Sequence, residues 1–118
     1  MINTYKDLIV WQKSAELSVL IYEITKKFPR EEIFGLSSQM RRCSISIPSN
    51  IAEGRYRGTK KDFVHFLRIA FGSGAELETQ IFITKQIYSE LDFSKIDCLL
   101  NEVMRMLNTM IKNINPKS

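Results

Sequence analysis

Residues 60–91 read KKDFVHFLRIAFGSGAELETQIFITKQIYSEL. Within them Phe63, Leu67, Ala70, Gly74, Leu77, Ile81, Thr84, Tyr88 and Leu91 recur in alternating steps of four and three without a slip. An α-helix turns once in about 3.6 residues, so this spacing keeps one stripe facing its neighbours. A sustained repeat of about 3.5 is the signature of helices packed with a left-handed twist. No alternation of apolar and polar residues competes with it as a strand signal. The segment predicts one long helix with its seam on a shared core.

Three other segments follow the same rule. Residues 5–28 carry two stripes, Leu8, Trp11, Ala15, Ser18, Tyr22, Thr25 and Val10, Leu17, Ile21, Ile24, Phe28, and Pro29 ends the pattern. Glu31 and Glu32 suit the positive end of a second helix whose seam is Leu36, Met40, Cys43, Ile47, Asn50 and Gly54. The last helix runs through Phe93, Ile96, Leu100, Val103, Leu107, Met110 and Ile114. Thr4-x-x-Asp7, Thr59-x-x-Asp62 and Ser94-x-x-Asp97 mark starts, because the hydroxyl can accept from a free N–H while the acid reaches back. Short connections force consecutive helices to run antiparallel. The expectation is an all-α, up-down-up-down, left-handed four-helix bundle occupying residues 1–118 as a single elongated domain.

Composition agrees with a folded globular chain: 118 residues, 44% hydrophobic and 25% charged. No apolar run spans a membrane, and MINTYKDLIVWQKSAEL lacks the features of a signal peptide, so a cytoplasmic location is expected. Cys43 and Cys98 have neither a CxxC partner nor a nearby histidine set. They read as buried, reduced cysteines without a disulfide or a metal. Phe66, Ile69, Phe71, Phe82 and Ile83 in the third helix, and Leu99, Met104, Met106 and Ile111 in the fourth, lie outside the main seams. That surplus exceeds what one bundle core requires, and self-association into a homo-oligomer is the expected use.

Charge is concentrated in one place. Residues 41–68 hold seven cations (Arg41, Arg42, Arg55, Arg57, Lys60, Lys61, Arg68) against Glu53 and Asp62, while the remaining residues hold ten cations and eleven anions. A local positive field of this kind attracts polyanions. Arg55, Arg57, Lys60, Lys61 and Arg68 are the expected phosphate contacts to RNA or DNA, with Tyr56 placed to stack on a base. Arg41 and Arg42 have two readings, nucleic-acid contact or pairing with Glu76 and Glu78 of the third helix. Asn50 falls on a seam, where an amide either fixes helix register or meets a ligand. Pro48 lacks an N–H for the Ser44 carbonyl and predicts a kink or a break near Ile47, with the Ser44 and Ser46 hydroxyls available nearby. Gly74, on the seam, suggests close approach of another backbone.

Catalysis finds little support. The only histidine, His65, has Asp62 rather than Glu three positions before it, so the paired Glu-x-x-His of di-iron bundles is missing. The glycines match no phosphate-binding fingerprint, and there is no G-x-S-x-G turn. Glu76 and Glu78, two apart, diverge on a helix and make no acid–base pair. The expectation is a protein that is not an enzyme and has no cofactor.

The stretches LIVWQKSAEL (8–17), IYEITKKFP (21–29), FGLSSQMRRCSISIPSNIAEG (34–54) and FLRIAFGSGAELETQ (66–80) resemble the four-helix-bundle proteins encoded in intervening sequences of bacterial large-subunit ribosomal RNA genes. Cys43 stands where alanine is frequent in that family, a conservative departure. The resemblance implies a left-handed antiparallel bundle assembled as a cyclic homopentamer. The chain is also similar to the accessory protein of diversity-generating retroelements, which implies a basic surface for nucleic acid and a reverse transcriptase partner. The rival expectation, from a different class, is a protein-interaction scaffold whose basic residues are solvated or paired internally.

Overall fold

The computed structural model describes residues 4–116. Four helices account for most of them: α1 (Ile9–Thr25), α2 (Leu36–Tyr56), α3 (Lys60–Ile87) and α4 (Ser94–Asn113), with single 3-10 turns at Tyr5–Asp7 and Arg30–Glu32. There is no strand among the described residues. The helices touch around a ring, α1 on α2, α2 on α3, α3 on α4 and α4 on α1. The body measures 48 × 22 × 20 Å, elongated along the helices.

The core sits on the predicted seams. Leu67, Ala70 and Leu77 of α3 are fully buried, as are Met40, Ile47 and Ile51 of α2 and Val103 and Leu107 of α4. Both stripes of the first helix supply core residues, Val10, Leu17 and Ile21 from one and Leu8 and Thr25 from the other, because α1 packs on α2 and α4 at once. In α2 the seam passes through Ile51 rather than Asn50, which is only half-buried. Leu99 and Met104 of α4 also enter the core, so less of that helix's surplus is left for a partner than its sequence suggested.

Helix ends depart from expectation for local reasons. The Thr4–Asp7 capping box forms, but it closes the 3-10 turn; Leu8 is then extended, and α1 begins at Ile9. The first helix stops at Thr25, before Pro29, and Phe28 folds beneath the Tyr88 ring. Glu31 and Glu32 belong to the separate turn, yet Glu32 Oε1 still accepts from Leu36 N, the first residue of α2. At α3, Asp62 N donates to Thr59 Oγ1 at 3.1 Å, while the Asp62 carboxylate accepts a hydrogen bond from the threonine hydroxyl instead of reaching back to its N–H. The predicted box at Ser94 is not made: Asp92 accepts from Ser94 N, and Asp97 pairs with Lys85. Hydrogen bonds from the Ser94 hydroxyl and from its N–H hold the Asp92 carboxyl below its ordinary value. The third helix ends at Ile87, four residues early, where Tyr88 turns to donate its hydroxyl proton to Glu32 Oε2 at 2.6 Å.

Pro48 does not break α2, which runs through it. The missing donor is replaced from outside the helix: Ser18 Oγ of α1 donates to the Ser44 carbonyl at 2.9 Å. The Ser44 and Ser46 hydroxyls are used elsewhere, on Arg41 O and on Ser73 Oγ. A buried carbonyl left empty by proline is thus satisfied by the neighbouring helix, which also ties α1 to α2. Gly74 makes room for the Met104 side chain, not for a backbone, since a Cβ there would lie 2.2 Å from the methionine sulfur. Gly54 is the position where a helix backbone does approach closely: a Cβ would sit 2.6 Å from Phe66 Cβ.

Candidate nucleic-acid interface

The connection between α2 and α3 brings five of the predicted residues to one end of the bundle. Gly58 makes this possible by adopting φ 88, a left-handed conformation costly for any other residue, and a side chain there would meet open space. The chain therefore leaves α2 at Tyr56 and enters α3 at Lys60 with only three residues between. Arg55, Tyr56, Arg57, Lys60 and Lys61 are all exposed, Tyr56 by 85%.

The two arginines rest on aromatic shelves. The Arg55 guanidinium lies 6.0 Å from the Phe63 ring centroid and that of Arg57 lies 5.1 Å from Phe66. Arg57 Nε also donates to Glu53 Oε2 at 2.9 Å, an exposed i,i+4 pair of small energetic weight. Such contacts narrow the positions of the guanidinium groups while leaving their outer N–H donors free for phosphate oxygens. Phe63 and Phe66 in this role were missed from sequence; Phe66 stood there only as surplus apolar surface. Their signal was the spacing of two phenylalanines over the first turns of α3, directly after an Arg-x-Arg helix end.

Arg68 extends the cluster along α3. Lys61, His65 and Arg68, spaced i, i+4 and i+7, share one exposed face, and His65 stands edge-on to Phe66 at 5.1 Å. Arg41 and Arg42 are elsewhere. They lie about 20 Å from Arg55 along α2, given the helical rise per residue. Arg41 is engaged within the fold, stacked on Tyr22 at 4.8 Å and donating to Thr25 Oγ1 at 2.8 Å. Arg42 is exposed on a polar groove between α2 and α3, of about 400 Å³, shared with Gln39, Cys43, Ser46, Ser73, Glu76 and Gln80.

The expected pairing of Glu76 and Glu78 with Arg41 or Arg42 is not formed: among the described residues neither acid makes an ion pair within 4 Å. Glu76 and Arg42 face the same groove at a greater separation, and Glu78 opens toward Phe82, Lys85 and Asp97 instead. Polar links across this groove come from smaller groups. Ser46 Oγ meets Ser73 Oγ at 2.8 Å, and within α2 Asn50 Nδ2 donates to the carbonyl and hydroxyl of Ser46. Cys43 donates to the Ser73 carbonyl, and burial pushes its thiol up to about 11, with Glu76 adding to the rise and Arg42 opposing it. Cys98, expected to be buried, is exposed on α4. Gln80 Oε1 is buried without a hydrogen-bond partner.

The molecule is thus a four-helix protein with a cationic, aromatic-backed end and no helix, among the described residues, long and apolar enough to cross a membrane. It belongs to the 23S rRNA-intervening sequence protein family, whose sequence profile matches residues 6–109. It is similar to the crystal structure of a protein of unknown function from the S23 ribosomal protein family of Bacteroides thetaiotaomicron VPI-5482. The two are 26% identical with a TM-score of 0.80, over 89% of this chain and 100% of the other. No match was found among curated protein sequences.

Proposed function

We propose that this protein is a non-enzymatic, homo-oligomeric bundle that binds RNA or DNA through the basic end formed by α2 and α3. The observation that carries the reading is the exposure, at one end of the bundle, of Arg55, Arg57, Lys60 and Lys61 together with Tyr56. Phosphate contacts from such a surface give affinity and salt dependence rather than sequence choice. Arg42 and Arg68 extend the positive surface toward the middle of the body, and Arg41 contributes charge while serving the fold.

Contacts between helices support an antiparallel, up-down-up-down order: Gly54 meets Phe63 and Phe66, whereas Cys43 meets Ser73 and Met40 meets Thr84. The same reversal joins α3 to α4, through Gly74 with Met104 and Lys85 with Asp97. The unbroken heptad of α3 supports the left-handed twist. Val19, Tyr22 and Ile45, exposed by 58%, 38% and 42% on α1 and α2, supply apolar surface suited to a neighbouring subunit. The count of five subunits, the cytoplasmic location, and a role beside a reverse transcriptase or in association with ribosomal RNA rest on the family resemblance.

The second reading, a protein-interaction scaffold, draws on other exposed apolar side chains, with Phe34 at 96% and Phe82 at 65%. Replacing Arg55, Arg57, Lys60 and Lys61 together with glutamate separates the two. Binding of RNA and DNA should be lost while light scattering still reports the pentamer of 13.7 kDa chains. Unchanged binding would reject the basic end as the interface, and absence of binding in the unaltered protein at low salt would favour the scaffold.

A further inference from the structure

Resting on the nucleic-acid reading above, we infer that the basic end selects single-stranded over double-stranded nucleic acid, with Tyr56 as the side chain that makes the distinction. Tyr56 is the last residue of α2 and is 85% exposed, although a tyrosine on a helix ordinarily lays part of its ring on the surface. The reason is visible in its neighbours. Arg55 and Arg57 lie over the Phe63 and Phe66 rings of α3, so guanidinium groups and not the tyrosine cover those two apolar faces. The three-residue connection, tightened by Gly58, supplies nothing to cover it. The result is a bare aromatic face at the end of the bundle, on the same turn as the exposed Arg55, Arg57, Lys60 and Lys61.

The cations engage phosphates of either strand state. The ring does not. In a duplex the base faces are stacked inside and only their edges reach the grooves, so the ring finds no base face to pack against. A single strand offers unstacked bases whose faces pack on an exposed aromatic ring while adjacent cations hold the flanking phosphates. Every base has such a face, so the preference is for strand state and not for sequence. RNA and DNA single strands should bind alike, because stacking and phosphate contact do not read the 2′-hydroxyl.

The test is equilibrium binding of the full chain, by fluorescence anisotropy at one low salt concentration, to single strands of about 15 nucleotides, near the upper end of typical site sizes. RNA and DNA versions are compared with the matching duplex and with an abasic single strand of equal length. The single strand should bind at least about fivefold more tightly than the duplex and the abasic strand, the least that one stacked base contributes. Tyr56→Ala should erase that difference and leave duplex affinity unchanged, while Tyr56→Phe should keep it. Phe34→Ala, a change at a bare aromatic just before α2 and about 30 Å away, should have no effect. Equal affinity for all three probes, or a preference that survives Tyr56→Ala, would overturn the inference and leave the basic end intact as an interface. Failure to bind any probe would overturn both.

Discussion

Ser18→Ala probes how α2 accommodates its internal proline. The Ser44 carbonyl is deprived of its helical donor by Pro48 and receives the Ser18 hydroxyl instead, at 2.9 Å. Ser44 is fully buried and Ser18 is 9% exposed, so water is poorly placed to take over. An unsatisfied buried acceptor costs about 1–3 kcal/mol. The Ser18 proton is shared with Ser14 O at 3.1 Å, which places the expected loss in the lower half of that range, about 1–2 kcal/mol. Pro48→Ala restores an N–H to the same carbonyl, so in that background Ser18→Ala should cost less than about 0.5 kcal/mol, as at sites without a special role. The assay is urea unfolding of the four proteins of the double-mutant cycle, followed by helical circular dichroism at a fixed protomer concentration, because assembly shifts apparent stability. A coupling near zero, with Ser18→Ala equally costly in both backgrounds, would refute the compensation.

Three further outcomes follow from individual sites. Among the glycines of α2 and α3, Gly54→Ala should destabilise by about 1–3 kcal/mol through overpacking on Phe66. Gly74→Ala should be milder because the flexible Met104 side chain can move, and Gly72→Ala, with open space around it, should stabilise by up to about 1 kcal/mol in thermal melts. In thiol titration with a chromogenic disulfide near neutral pH, Cys98 should react rapidly and Cys43 slowly, because Cys43 is buried with its thiol raised to about 11. For Tyr88, the hydrogen bond to Glu32 pushes the hydroxyl from 10.0 up to about 12. A raised value favours the protonated form in the folded state, so its stabilisation is complete below about pH 10 and lost as pH climbs toward about 12. Tyr88→Phe should remove that alkaline component from stability–pH curves.

Elements and core were legible where side-chain periodicity alone decides burial. The α3 heptad placed Phe63 through Thr84 in the core correctly because each lies on one continuous face. Its last members, Tyr88 and Leu91, fall beyond the helix end, where the Tyr88 hydroxyl meets Glu32, far away in sequence, although Leu91 still packs against the core. Pro48 could be seen to need compensation, but the compensating Ser18 lies in another helix and carries no local mark. Asn50 was one position from the truth, since a seam approximated by steps of three and four can pass through either of two adjacent residues. At the basic end the cations were legible as composition, while Phe63 and Phe66 as their supports required knowing how the turn at Gly58 folds α3 back. The proposed pairing of Glu76 and Glu78 with Arg41 and Arg42 assumed that opposite charges on adjacent helices meet; Thr25 and Tyr22 engage Arg41 instead.

The central claim, an assembled basic surface for nucleic acid, is tested most directly by affinity as a function of strand length and salt. One patch should bind short oligonucleotides weakly, with dissociation constants of about 10⁻⁴ to 10⁻⁶ M. A long strand that reaches several copies of the patch should bind about 10²-fold or more tightly. Both affinities should fall steeply between about 50 and 200 mM salt, and replacing Lys60 and Lys61 with alanine should lower the log–log salt slope by about 2 for a single patch, roughly one unit per lost phosphate contact. Affinity independent of length and insensitive to salt over that range would contradict the account.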